Sequence, residues 1–300
     1  MQHALQIRSA EQTEATNRAA SPDCRRAAGR DYTALAIGEF NEGELARLVT
    51  SPERALSDPT ATVVKQGRSA LVVRVDLPIG GAETRTAYKR CGSRSWLRRI
   101  ARGMRTSAAV RNFRLGHRLL KLGIETPRPL IAVSPRWHNL LRPSYLATEW
   151  LDGALPLDAF AKSASALSPA RRRVALRETA RHLGRLIGTL HNRGYAHRDL
   201  KSANLLVGER GGRVEVFLID LDGASRAYLR LEITRLKNLA RFVQATARIA
   251  CVTHTLRCRF LQCYLAELGG AQDWKTVWRQ VGRISRIPPP PASSPERAAG

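Results

Sequence analysis

A carboxylate and a carboxamide stand five residues apart in the segment HRDLKSANLLV, residues 197–207. The carboxylate belongs to Asp199 and the carboxamide to Asn204. A carboxylate beside an attacking hydroxyl can accept or orient its proton, and an amide oxygen is a hard ligand that suits Mg²⁺. Because the short spacing lets both side chains reach one phosphate, the segment predicts phosphoryl transfer, with Asp199 as the catalytic carboxylate and Asn204 as a metal ligand.

Two other residues of this segment have predicted roles. Lys201 lies between the carboxylate and the carboxamide, and we predict that it contacts the transferred phosphoryl group or the acceptor; the alternative is a solvated surface lysine. His197 is predicted to pack the loop rather than to act as a base. An aspartate and an asparagine that merely cap two turns are the alternative for the whole segment. The eight-residue match to a protein-kinase catalytic loop, followed by the apolar LLV, disfavours that alternative.

A second candidate metal ligand follows the apolar run VEVFLID. Protein kinases place a Mg²⁺-binding aspartate, in the sequence D-F-G, directly after such a buried strand. The corresponding sequence here is DLDG, which contains two aspartates. Asp220 directly follows the apolar run and is the predicted ligand, while Asp222 is its competitor or an additional ligand.

The elements that must position these residues fall into a strand-rich part and a helical part. Alternating and β-branched residues predict strands in the segments TATVVK, SALVVRVDL, TRTAYKRC, RPLIAVSP and SYLATEWL. Beyond Asp158, apolar residues at helical spacing predict mainly helices, including two at about 229–250 and 254–268. Strands followed by helices predict an α+β protein, with the bilobal order of a protein-kinase-like fold.

The predicted organisation has four parts. Residues 1–30 form a loosely ordered tail, 31–150 a β-rich N-lobe that grips the nucleotide, and 151–285 a helical C-lobe with the catalytic loop. Residues 286–300 form a Pro/Ser-rich tail.

A candidate phosphate-binding lysine, Lys89, lies in the predicted strand TRTAYKRC. Protein kinases carry there the lysine of V-A-I-K, which contacts the α- and β-phosphates; a surface lysine is the alternative. Two other kinase features are missing. Only Gly67 stands where a glycine-rich loop belongs. The two glycines at 80–81 come too late in the chain to form that loop. Asn112 replaces the helix glutamate that pairs with the lysine, so either the pairing differs or the activity is weak.

The charge of the chain favours anionic partners. Fifty Lys and Arg against 25 Asp and Glu give a net charge of +25, which attracts polyanions such as an anionic membrane face or a phosphorylated glycolipid. An arginine-rich, high-GC coding sequence explains part of this excess. The segment WLRRIARGMR, residues 96–105, can form a short amphipathic helix on an anionic membrane or glycolipid, and an ordinary core helix is the alternative.

The cellular location was inferred from cysteines and hydropathy. The chain has five cysteines and no C-x-x-C pair, which is typical of reduced thiols. No apolar run has the length of a signal peptide or of a membrane span. The sequence therefore predicts a cytoplasmic protein that can lie at a membrane surface.

Several motifs together resemble the bacterial lipopolysaccharide kinase (Kdo/WaaP) family, over about residues 60–268. They are AYKR, LGIETPRPLIAV, SYLATEWLDGA, HRDLKSANLLV, FLIDLDGA, RLKNLARFV and RFLQCYL. The resemblance implies a protein-kinase-like fold, ATP, Mg²⁺ and transfer to a sugar hydroxyl, of Kdo or heptose, in the lipid A–core region of lipopolysaccharide. Lys89, Asp199, Asn204 and Asp220 match its motif positions.

The resemblance also implies a hinge in LATEWLDG, residues 146–153. Backbone groups of Glu149, Trp150 and Leu151 would there meet the edge of the adenine. The sequence itself shows only a strand followed by a turn.

The nature of the acceptor separates the remaining hypotheses. Protein kinases carry a long activation segment that ends in A-P-E, whereas only ASRAYLR separates DLDG from the next helical pattern. A small or lipid-linked acceptor is therefore favoured. The alternatives are a kinase-fold phosphotransferase acting on another small molecule or on protein, and a catalytically weak, kinase-like scaffold that binds anionic lipid. Nucleic acid is not expected, because no nucleic-acid-binding motif is present.

Overall fold

The computed structural model of the chain describes residues 7–8, 24–67, 70–92, 106–137, 140–141, 143–210, 213–227, 231–247, 249–270 and 273–285. The predicted amphipathic segment at 96–105 and the C-terminal tail at 286–300 lie outside these residues. The chain divides into two compact units, Met1–Asp152 and Gly153–Gly300. The sequence had placed the lobe boundary between residues 150 and 151.

The first unit is built on one antiparallel sheet. Its strands are β1 (Ile7–Arg8), β2 (Cys24–Ala28), β3 (Tyr32–Ile37), β4 (Thr62–Gln66), β5 (Ala70–Ile79), β6 (Ala82–Cys91), β7 (Pro129–Trp137), β8 (Leu140–Leu141) and β9 (Ser144–Glu149). The strand order is β1-β2-β3-β7-β9-β6-β5-β4, with β8 paired to β7. Helices α1 (Glu42–Thr50) and α2 (Ala108–Lys121) complete the described part of this unit.

The predicted start of the folded part is wrong. Strand β2 begins at Cys24, inside the segment that was predicted to be a tail, and β3 and α1 also precede the first predicted strand. Strand β2 pairs with β3, and β3 pairs with β7, about a hundred residues later in the chain. These strands bury Cys24 and Ala27 in the core of the unit. The short segment CRRAA shows no such pattern by itself, because the partner strand supplies its order.

The second unit is mainly helical. Its helices are α3 (Leu157–Ala164), α4 (Pro169–Asn192), α5 (Leu231–Thr246), α6 (His254–Glu267) and α7 (Trp274–Ser285). Its strands are β10 (Leu155–Pro156), β11 (Tyr195–His197), β12 (Leu205–Arg210), β13 (Arg213–Leu218) and β14 (Ala224–Arg226). Strands β10, β12 and β13 form one small sheet, and β11 pairs with β14. The prediction of an α+β protein with a strand-rich first part and a helical second part is confirmed.

Helix α4 carries the chain to the candidate catalytic segment, and its position is set by close packing on α6. A Cβ atom added to Gly184 would lie 2.5 Å from the carbonyl oxygen of Phe260, and one added to Gly188 would lie 2.9 Å from that of Tyr264. Glycine at these two positions therefore lets the two helix backbones approach each other. None of the helices in the described part is long and apolar enough to cross a membrane.

A buried carboxylate joins α1 to the turn between β5 and β6. Glu44 accepts hydrogen bonds from the backbone N–H groups of Asn41 (2.8 Å), Gly80 (3.0 Å) and Gly81 (2.8 Å). Both glycines have positive φ angles, of 63° and 83°, which suit glycine. The two glycines that come too late for a phosphate-binding loop therefore form a turn that holds Glu44.

The same contacts set the charge of Glu44. Desolvation by itself would raise the pKa of its carboxyl group, but the hydrogen bonds from Asn41, Gly81 and Gly80 outweigh it, so the pKa is lowered. The ionised form is thus stabilised by folding. This stabilisation is complete above the pKa of the unfolded state and is lost as the pH falls through the lower pKa of the folded state.

We expect Glu44→Gln to lower the free energy of unfolding of the first unit by about 2 kcal/mol at neutral pH, because the uncharged amide is a weaker acceptor for the three backbone N–H groups. Urea unfolding followed by circular dichroism measures this difference. The difference should shrink as the pH is lowered below the usual range of glutamate. Glu42→Gln, at an exposed position of the same helix, is the matched control. An equal loss in the control, or no dependence on pH, would contradict the role of Glu44.

Candidate active site

The segment predicted to be catalytic follows β11 and brings three of its polar side chains together. The Nζ atom of Lys201 lies 2.6 Å from Oδ2 of Asp199. The amide nitrogen of Asn204 donates to the backbone oxygen of Asp199 at 2.8 Å and to its Oδ2 at 3.3 Å. Since both of these partners are acceptors, the Asn204 nitrogen must face Asp199. Its Oδ1 is then the side-chain atom that can bind a metal ion.

The electrostatics of this segment favour an ionised Asp199. The hydrogen bond from Lys201 lowers the pKa of the carboxyl group; desolvation opposes this, and the charge of Lys201 and the hydrogen bond from Asn204 lower the pKa further. The side chain is more than half exposed, so a substrate can approach it. An ionised, accessible carboxylate can orient a hydroxyl group or accept its proton.

Asp220 lies just beyond β13, which ends at Leu218. The N–H of Ile219 donates to the backbone oxygen of Asn204 at 3.0 Å, so the chain segments that carry the two candidate metal ligands are linked directly. Asp220 has φ 58° and ψ 57°, and among the described residues it is the one non-glycine residue with a positive φ. Aspartate tolerates this region better than most residues, and such conformations often mark functional sites.

His197 holds the backbone of Asp220 in place. Its ring is fully buried, and its Nε2 donates to the backbone oxygen of Asp220 at 3.0 Å. A Cβ atom on Gly223 would lie 2.9 Å from the ring, so DLDG can close around the histidine only with a glycine there. Desolvation lowers the pKa of His197, which keeps the ring neutral at physiological pH. His197 therefore packs the loop, as predicted.

A buried polar network, which the sequence analysis missed, holds the backbone of His197 in place. The Oδ1 atom of Asn238 accepts from the backbone N–H of His197 at 2.9 Å and from Nε2 of His191 at 3.3 Å. With its Nε2 donating, His191 accepts at Nδ1 from the hydroxyl of Tyr264, at 2.9 Å. Burial lowers the pKa of His191 to about 4, consistent with this neutral tautomer. The sequence feature that could have indicated this network is Asn238, a polar residue among the apolar residues of α5.

Asn204 and Asp220 suit Mg²⁺ by their chemistry. One offers an amide oxygen and the other a carboxylate, both hard oxygen ligands. In the described part of the chain, no group of three His, Cys, Asp or Glu side chains is placed to hold a metal ion. Mg²⁺ in phosphotransferases needs no such cage, because it keeps several waters and binds substrate phosphates alongside one or two carboxylates.

Lys89 lies in the first unit, on the central strand β6. It stands opposite Val72 of β5 and Leu146 of β9. Its neighbour Tyr88 is fully buried, stacks on Tyr145 and donates its hydroxyl to the backbone oxygen of Pro52 at 2.9 Å. Because successive side chains of a strand alternate between its faces, the buried Tyr88 fixes Lys89 on the opposite face. The structure buries Asn112 in α2.

The predicted hinge residues follow β9 in the same unit. The N–H of Glu149 donates to the backbone oxygen of Arg128 at 2.9 Å, and the N–H of Trp150 donates to that of Arg85 at 3.1 Å. Two of the three hinge N–H groups therefore already have partners within this unit. Within the described residues, the N–H of Leu151 makes no such backbone hydrogen bond.

These observations define a class of protein. A strand-rich unit is followed by a helical unit that carries HRD, an asparagine five residues later, and DLDG, as in protein-kinase-like phosphotransferases. The family model described as "Lipopolysaccharide kinase (Kdo/WaaP) family" matches residues 81–264. The chain belongs to this family, and it is a kinase.

Individual relatives agree with this assignment. The chain is 30% identical to a 3-deoxy-D-manno-octulosonic acid kinase of Xanthomonas campestris pv. campestris (strain B100), over 74% of this chain and 83% of that protein. It is 29% identical to the enzyme of the same name from Xylella fastidiosa (strain 9a5c), over 63% of this chain and 71% of that protein. The solved structure "WaaP in complex with acyl carrier protein" shares the fold, with a TM-score of 0.54 and 19% identity over 82% of this chain and 97% of that one.

We expect Lys201→Gln to raise the pKa of Asp199 toward the usual aspartate range, because the substitution removes a hydrogen bond and a positive charge from the carboxylate. A ¹³C NMR titration of the Asp199 carboxyl carbon measures this shift. Lys201→Arg should largely keep the lowered pKa. Lys162→Gln, at an exposed position of α3, is the control and should leave it unchanged. An unshifted pKa in Lys201→Gln would show that the ion pair does not lower the pKa of Asp199.

Proposed function

We propose that the protein transfers the γ-phosphoryl group of ATP to a hydroxyl group of Kdo in the lipid A–core region of lipopolysaccharide. The observation that carries the proposal is the Asp199 carboxylate, held by Lys201 and Asn204 on a loop that is tied to Asp220. Kdo is favoured over heptose because the two relatives described above are Kdo kinases by name. A heptose hydroxyl is the second candidate.

In this proposal, the residues of the catalytic segment act on the acceptor and on the transferred group. Asp199 orients the acceptor hydroxyl and accepts its proton as the new O–P bond forms and the bond from the γ-phosphorus to the departing ADP breaks. Lys201 contacts the transferred phosphoryl group while it keeps the pKa of Asp199 low. Positioning of this kind supplies most of the catalysis in phosphoryl transfer, because little covalent chemistry is left for the protein.

We assign the metal and nucleotide contacts as follows. Asn204, through Oδ1, and Asp220, through its carboxylate, hold Mg²⁺. When bound, Mg²⁺ neutralises negative charge on the phosphates of ATP. Lys89 contacts the α- and β-phosphates. The backbone of Leu151 meets the adenine edge, since the N–H groups of Glu149 and Trp150 already have partners.

The proposed location is the inner face of the bacterial inner membrane, where the protein is cytoplasmic and peripherally attached. The net charge of +25 supports attraction to an anionic surface. The segment at 96–105 that would bind the membrane lies outside the described residues, so its role stays a prediction. The scaffold hypothesis has less support, because a catalytically inactive site would not require Asp199, Asn204 and Asp220 together.

We expect Asp199→Ala to reduce phosphate transfer at least about 100-fold and to leave ATP binding largely intact, because the carboxylate acts on the acceptor hydroxyl. The measurement is the transfer of label from ATP, with Mg²⁺, to purified lipid A–core glycolipid, with a generic protein as the comparison acceptor. Label should enter the glycolipid alone, and mapping the labelled sugar decides between Kdo and heptose. Normal turnover of the variant would exclude the role of Asp199. Label in the protein acceptor would replace the sugar-kinase proposal.

We expect Asp220→Asn to raise the Mg²⁺ concentration needed for half-maximal activity, on the order of tenfold or more, because the substitution removes a charged ligand. A titration of activity with Mg²⁺ at saturating ATP measures this. Asp222→Asn is the matched comparison in the same DLDG sequence and should change the titration little. If Asp222→Asn has the larger effect, the metal ligand is Asp222 instead.

A further inference from the structure

A basic cavity of about 370 Å³ lies next to the catalytic segment, within the second unit. Four cationic residues line it: Arg198, Arg226, Lys237 and Arg241. No acidic residue is among its described lining residues. Its volume lies within the range of small-ligand sites in proteins. The residues proposed to bind ATP and Mg²⁺ do not line it, so this cavity is a separate feature.

The walls of the cavity are held in fixed positions relative to Asp199. Arg198 directly precedes Asp199, and its N–H donates to the backbone oxygen of Gly223 at 2.8 Å. A guanidinium nitrogen of Arg241 donates to the backbone oxygen of Arg198 at 2.5 Å. Asn238, which also lines the cavity, binds the N–H of His197. A ligand in this cavity would therefore be positioned by the same framework that positions the catalytic carboxylate.

The charges of the cavity indicate the chemistry of its ligand. Like charges that converge on one cavity repel each other, and a bound anion offsets that repulsion. All four cationic residues are exposed to solvent and can reach a ligand. The guanidinium group of Arg226 lies 5.8 Å from the ring centre of Tyr195, which limits its orientations. Arginine and lysine that surround a concave site are suited to a carboxylate or a phosphate group.

We propose that this cavity binds an oxyanion carried by the acceptor, and that Lys237 and Arg226 determine acceptor specificity. The inference rests on the proposed function. A sugar acid such as Kdo carries a carboxylate, and the lipid A–core region also carries phosphates; either group has the required chemistry. Binding of this anion beside Asp199 orients the neighbouring sugar so that one hydroxyl meets the carboxylate.

The test variant is Lys237→Gln. Lys237 lies on the exposed face of α5, whereas Arg241 also holds the backbone of Arg198 and is therefore a poorer choice. We expect the KM for the glycolipid acceptor to rise about tenfold, the effect of losing one charge-assisted hydrogen bond. The KM for ATP should stay within about twofold, because no nucleotide contact is removed. Lys237→Arg should restore the acceptor KM.

A second control separates a local contact from the general charge of the protein. Arg173→Gln removes one positive charge at an exposed position of α4 that does not line the cavity. An equal increase of the acceptor KM in Arg173→Gln and Lys237→Gln would overturn the proposal, since long-range attraction alone would then explain the effect. An unchanged acceptor KM in Lys237→Gln would overturn it as well.

Modified acceptors identify the source of the oxyanion. The acceptor KM is measured for the wild-type protein and for Lys237→Gln. Three acceptors are used: the intact glycolipid, a form with its carboxyl group reduced, and a dephosphorylated form. The modification that removes the difference between the two proteins identifies the group that Lys237 contacts. A difference that persists with both modified acceptors would show that neither anion occupies the cavity.

A binding measurement keeps this proposal separate from the proposed function. Inorganic phosphate is titrated into the protein with ADP and Mg²⁺ present, so that the nucleotide site is filled, and thermal stability is the readout. Phosphate should stabilise the wild-type protein and Arg173→Gln more than Lys237→Gln. If this holds while the glycolipid is not phosphorylated, the cavity binds oxyanions and the proposed function fails. If the glycolipid is phosphorylated but both the stabilisation and the acceptor KM are independent of Lys237, the cavity proposal fails alone.

Discussion

The buried ring of His197 is the contact on which the candidate site depends. It donates to the backbone oxygen of Asp220 and fills the space that a side chain at Gly223 would need. Asp220 keeps its left-handed backbone only while this hydrogen bond and this packing hold it. The histidine thus fixes a candidate metal ligand without touching a substrate. Its lowered pKa is part of the same arrangement, because a neutral ring with one N–H suffices for a single backbone acceptor.

The support of His197 extends into the helical part of the unit. Asn238 of α5 links the backbone of His197 to His191 of α4, and His191 is joined to Tyr264 of α6. The close contacts of Gly184 and Gly188 hold α4 and α6 together. Three helices therefore position one loop through packing and a buried polar network. Such networks are costly when they are only partly satisfied, so they favour one arrangement of the loop.

Charge acts at two levels in this protein. Near the candidate catalytic carboxylate, Lys201 supplies a local positive charge that lowers the pKa of Asp199. Around the cavity beside it, four cationic residues converge with no acidic residue in the described lining. A net charge of +25 attracts anions generally, but only a cavity with fixed walls can select one group and orient it. The proposed acceptor chemistry depends on this second, local arrangement.

The sequence by itself determined the division into a strand-rich and a helical part, the candidate catalytic segment and DLDG, because periodicity and short spacings are local properties of the chain. The sequence also predicted that His197 packs the loop, and it did not decide between Asp220 and Asp222 as the metal ligand. Only the tertiary structure decided what Asn238 and Gly80 do, because their partners, His197 and Glu44, lie 41 and 36 residues away. Strand β2 was missed because CRRAA shows no strand pattern by itself. A contact between distant segments depends on how the whole chain packs, and no local pattern encodes it.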